Sequence, residues 1–139
     1  VDWKAAFSPS GLNWWTVVSG MGMNFLLTSF LFLGVTTMVA QEMPEATITL
    51  AMSAGAFFIP LLTAYVCGRL SDERYLAYGF YPLVGFLILA VPGVLYARLF
   101  GLLTLGFGIL GALNGTSLAA RRGARRRHAI DEIKHLDDR

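Results

Sequence analysis

The side chains that could do chemistry sit at the edges of this chain. His128, Glu132 and His135 are spaced i, i+4 and i+7, which places them on one face of a helix, as a transition-metal site would require. Three ligands on a short tail are few, so the expectation is no metal and a solvated face with a His–Glu pair. Just upstream, Arg121, Arg122, Arg125, Arg126 and Arg127 crowd one short run. Guanidinium groups attract phosphate, so these arginines are expected to contact anionic lipid headgroups and to set topology. A patch pinned at a membrane surface is not expected to bind nucleic acid. Cys67 is the only cysteine, which excludes an internal disulfide. It reads as a small packing residue, with acylation as the other use of such a position.

These groups hang on four apolar stretches, Trp15 to Ala40, Ala46 to Gly68, Tyr75 to Ala97 and Leu99 to Ala120. None of the four holds a charged residue or a histidine. Crossing about 30 Å of hydrocarbon takes roughly 20 apolar residues in a helix, so each stretch can span with some tilt. None shows the polar face that a soluble bundle helix would carry. The sequence therefore predicts an all-α integral membrane protein. It has four transmembrane helices at about 15–40, 45–69, 75–96 and 98–120, joined by short turns. Residues 1–14 form an interfacial lead-in. Residues 121–139 form a basic tail, whose Ile130, Ile133 and Leu136 are spaced for a short amphipathic helix. The first apolar run is too long for the h-region of a signal peptide.

Boundary signals agree with this layout. Trp3, Trp14 and Trp15 gather at one end and are expected to anchor at the headgroup level. Pro44 suits the first position of the second helix, with Glu45 near the positive end of its dipole. Pro60 should kink that helix, its freed carbonyl met by a Ser or Thr hydroxyl. Ser71 reads as the N-cap of the third helix, with Asp72 and Glu73 in its first turn. Pro92-Gly93 marks either the end of that helix or a bend before Tyr96. Arg98 is the only charge between the third and fourth stretches and should snorkel to the headgroups.

Charge sets the expected orientation. Four spans put both termini on the side of the second turn. That side holds Lys4, Arg69, Arg74, the arginine run and Lys134, against Arg98 on the other. By the positive-inside rule both termini are expected in the cytoplasm, and the expected setting is a prokaryotic inner membrane.

Small and polar residues indicate how the helices meet. Membrane helices associate by close backbone approach and interhelical hydrogen bonds. Helix packing is expected at Gly20, Asn24 and Thr28 in the first span. In the fourth it is expected at Gly101, Thr104, Gly108, Gly111, Asn114 and Gly115. Asn24 and Asn114 are the only amides at depth, and interhelical bonds are expected of both, with contact to a ligand or pigment as the alternative. The glycine faces either pack within the chain or receive a helix from another subunit. Opposite them, Phe25, Leu26, Phe30, Phe32 and Leu33, with Phe100, Leu103 and Leu110, suit lipid or an apolar quinone or carotenoid.

The functional expectation follows mainly from what the spans lack. The four apolar stretches hold no carboxylate, histidine or arginine for ion coupling. Without histidine they offer no His-ligated haem site and no cofactor held by such side-chain ligands. No acid–base or nucleophile–base pair is placed together, so no enzyme is expected. No motif points to a particular family. The reading is a non-catalytic accessory subunit of a larger membrane complex, respiratory or photosynthetic, packing through its glycine-faced helices against other membrane subunits and lipid. The alternative is a small homo-oligomeric channel or transporter with its path at a subunit interface.

Overall fold

Helix is the only regular structure among the described residues, 2–71 and 74–137 of a computed structural model. Four helical segments are long and apolar enough to cross a membrane, which suits a multi-pass membrane protein. The elements are α1 (Trp3–Ala6), α2 (Trp14–Ala40), α3 (Glu45–Arg69), α4 (Tyr75–Phe80), a 3-10 turn (Tyr81–Leu83), α5 (Val84–Tyr96) and α6 (Arg98–Asp137).

The start of α2 has a local cause. Asn13 caps α2, its Oδ1 accepting from the backbone N–H of Trp15 at 3.1 Å and of Thr16 at 3.4 Å. Pro44 occupies the capping position of α3 rather than its first helical position, and the helix runs Glu45–Arg69, the bounds expected of the second span. Ser71 does not cap the third span. Its Oγ donates to the Gly68 carbonyl at 2.7 Å, closing the end of α3, and Arg74 stands at the start of α4. The expected roles of Asp72 and Glu73 lie outside the described residues.

The third apolar segment is interrupted at Pro82 rather than at Pro92. Pro82 cannot donate a backbone hydrogen bond, and residues 81–83 tighten into the 3-10 turn between α4 and α5. Helix α5 then passes through Pro92 to Tyr96, and Ala97 alone makes the turn to α6. In α3 the helix continues through Pro60. Thr63 Oγ1 donates to the Ile59 carbonyl at 3.1 Å, not to the Ala56 carbonyl that Pro60 leaves free.

The tail also departs from expectation. It is not a separate short helix, because α6 runs unbroken for 40 residues, about 60 Å at 1.5 Å per residue. No proline or capping sequence follows Ala120 to stop it.

Packing centres on α3 against α6, with α2 and α5 closing the bundle. Four glycines of α6 are consumed here. A Cβ at Gly111 would overlap the Phe57 carbonyl oxygen, and one at Gly115 the Leu61 carbonyl oxygen. Gly108 faces the ring of Phe86, and Gly101 the backbone of Val94. In α2, Gly20 abuts Cys67 and Pro82. The glycine face therefore packs within the chain and is not free to receive a partner's helix. Thr104 is buried on the same face and donates to the Phe100 carbonyl at 2.9 Å.

The amides part company. Asn24 is buried, and its Nδ2 donates to the Pro82 carbonyl at 2.8 Å, joining α2 to the 3-10 turn. Among the described residues Asn114 makes no such interhelical bond. It is exposed, one position off the packed glycine line, and its Nδ2 donates to Leu110 in its own helix.

The lead-in folds back on α4. Arg74 donates to the carbonyls of Ser8 and Ser10, Tyr81 to that of Phe7, and Tyr78 Oη accepts from the Asn13 N–H at 2.7 Å. Phe7 stacks on Trp3 and meets Phe80 edge-on, while Trp14 tilts against Tyr81. All three tryptophans remain exposed, Trp15 at 80%. Bonds from a charged group contribute about 1.5–3 kcal/mol, and tenfold in an equilibrium is about 1.4 kcal/mol. Arg74→Gln should accordingly speed proteolytic cleavage within residues 2–12 by about tenfold, leaving the helical circular dichroism unchanged. Equal cleavage rates would mean that Arg74 is not what holds the lead-in.

Candidate anion-binding groove

Where the apolar part of α6 ends, the arginines meet α3 and α4. An open groove of about 1200 Å³ lies between these elements. Its apolar wall is Leu61 and Leu118; its other walls carry Tyr65, Arg69, Tyr75 and Arg121, Arg122, Arg125, Arg126 and Arg127. Among the described residues that line it, none is acidic.

Small residues bring the walls together. A Cβ at Gly68 would lie 2.7 Å from the Ala119 Cβ, and Gly123 leaves room for the Tyr75 hydroxyl. Alanine and glycine at these levels let α6 approach α3 and α4 just below the arginines. Arg122, four residues after Leu118, then falls on the α3-facing side. Its Nη1 donates to Tyr65 Oη at 2.5 Å, and the Arg69 guanidinium lies 5.8 Å from the centroid of the same ring. One phenol thus positions two cations from two helices.

The chemistry available here is binding. Arginine stays protonated and offers forked N–H donors matched to phosphate or carboxylate oxygens. A cleft lined by one sign of charge concentrates opposite charge. Arg121, Arg122, Arg125, Arg126 and Arg127 were legible as a phosphate-attracting run. Tyr65, Arg69 and Tyr75 were not, because only the fold brings them beside it.

Other candidate residues fall elsewhere. His128, Glu132 and His135 are exposed on α6. They do not form a metal-holding cluster: among the described residues no group of three His, Cys, Asp or Glu could hold an ion. The third ligand stands seven residues along the helix from the first, and all three side chains are exposed. Arg98 is exposed at the start of α6, at the opposite end from the groove. Cys67 is buried, with Sγ 3.9 Å from the Thr16 carbonyl oxygen, which suits packing. Phe32 and Phe100, expected on the outer face, are half-buried and line a cleft of about 190 Å³ with Met52 and Thr104. Phe25, Leu26, Phe30, Leu33, Leu103 and Leu110 do face outward.

Compared with protein-family models, curated proteins and solved structures, the chain matches none.

Proposed function

We propose that this chain is a non-catalytic accessory subunit of a larger membrane complex, with both termini in the cytoplasm of a prokaryotic cell. The orientation rests on the arginine bias of one end, which holds Arg69, Arg74 and the run from Arg121 to Arg127. The role rests on the far part of α6. Beyond Ala120 this helix continues to Asp137 with every residue but Gly123 exposed, including Ile130 at 44%, Ile133 at 64% and Leu136 at 68%. The membrane-crossing part supplies the nucleus of this helix, so its helicity alone demands no partner. No described residue covers this apolar stripe, and burial on another subunit would stabilise it.

The partner surface thereby moves from the glycine faces, which are filled, to the α6 extension and the outer apolar faces. Gentle solubilisation of the full chain should yield a particle heavier than the monomer, containing other subunits. Ile130→Asp with Ile133→Asp should release them while leaving the bundle folded, because both residues lie outside it. A lone monomer with nothing co-purifying would overturn the proposal. Solute flux through liposomes containing only this protein would support the channel alternative instead.

A further inference from the structure

We propose that the groove between α3 and α6 is a discrete site for the headgroup of one anionic phospholipid. The proposal rests on the membrane-spanning reading, which places the end of the apolar stretch at Ala120 at headgroup level. Three observations favour a site over diffuse attraction.

First, two cations are positioned before any ligand arrives. Arg122 is held by the Tyr65 hydroxyl and Arg69 lies over the Tyr65 ring, so less side-chain freedom is lost on binding. Second, the Tyr65 hydroxyl accepts from Arg122 and keeps its own proton to donate. A phosphate here would meet two guanidinium forks and a phenol. Such charge-assisted bonds are about twice as strong as neutral ones. Third, the groove is not polar throughout. Leu61 and Leu118 form its wall on the side of the apolar spans. A lipid can lay an acyl chain along that wall while its phosphate sits among the arginines. A soluble phosphate has no use for it, which decides the occupant. Arg125 lines the same groove and adds charge without any described acidic neighbour in the lining.

The test uses the full chain in nanodiscs of phosphatidylcholine with a minor fraction of phosphatidylglycerol, read by native mass spectrometry after release. One phosphatidylglycerol per chain should be retained in preference to phosphatidylcholine. Arg69→Gln with Arg122→Gln should lower that retention by at least about tenfold, given about 1.5–3 kcal/mol for a bond to a charged group. Tyr65→Phe should lower it by less, since the ring remains under Arg69. Arg98→Gln removes one charge at the opposite end and should change nothing. Equal retention of the two lipids would overturn the site. So would equal loss in the Arg98 variant, which would mean general attraction, or displacement by millimolar inorganic phosphate. Flotation of every variant with liposomes reports membrane insertion separately, so failure of the membrane reading cannot be mistaken for failure of the site. Retention by the isolated chain is independent of whether other subunits co-purify.

Discussion

Gly111→Ala should destabilise the isolated chain by about 2 kcal/mol, although alanine is the better helix former. The new Cβ would overlap the Phe57 carbonyl oxygen of α3. That atom belongs to a helix backbone and cannot rotate away, so α3 and α6 must separate along their main contact. Gly115→Ala should act alike against Leu61. Gly106→Ala on the same helix is the internal control. Nothing lies within 4 Å of its Cβ position, and it is exposed. The same chemical change there should stabilise by about 0.5–1 kcal/mol through the lost flexibility of glycine. Gly123→Ala falls between, because its neighbour is the far end of the Tyr75 side chain, which can swing aside. Unfolding in mixed micelles, followed by circular dichroism, measures all four. The opposite signs at Gly111 and Gly106 are the result that matters. If both substitutions were neutral in the isolated chain, the glycine face would be a surface awaiting a partner.

That face shows where a sequence stops informing. Gly101, Thr104, Gly108, Gly111 and Gly115 could be read as one packing line because helical periodicity is local. What they pack against depends on how three other helices are arranged, which no local pattern specifies. The four apolar segments were legible for the same reason, as hydropathy over a helix length is a local property. Asn114 failed because an amide's spacing does not say which side of the glycine line it takes. It lies one residue before Gly115, about 100° around the helix, which turns it outward. The unbroken α6 was missed because the change from apolar to basic at Arg121 is a change of surroundings. The backbone has no reason to stop there. Half of the groove was readable as an arginine run. Tyr65, 57 residues upstream of Arg122, carried no signal, since a single tyrosine near a helix end is ordinary.

Asn24→Ala should cost about 2–3 kcal/mol, the largest effect of any polar substitution in the bundle. The lost bond to the Pro82 carbonyl accounts for about 0.6–2 kcal/mol, and the space left by the side chain supplies the rest. Pro82 has no N–H to continue the helix, so the third span is held at its break partly from outside, by α2. Removing that support should loosen the 3-10 turn first, seen as faster amide exchange at Leu83 and Val84 than in α3. Thr28→Val at the neighbouring turn of α2 should do the reverse. Thr28 Oγ1 and Asn24 Oδ1 are both buried without a hydrogen-bond partner among the described residues. A buried hydroxyl that makes no bond is a net cost, and valine fills the same space without one. The substitution should therefore stabilise by up to about 1 kcal/mol. A loss instead would mean that the two oxygens share a bound water, which a double-mutant cycle would register as coupling between the sites. The sign of that one measurement separates a dry polar pair from a hydrated one at the centre of the bundle. Either outcome leaves the direction of the Asn24 prediction standing, because neither the bond from Nδ2 to the Pro82 carbonyl nor the space left by the side chain depends on that water.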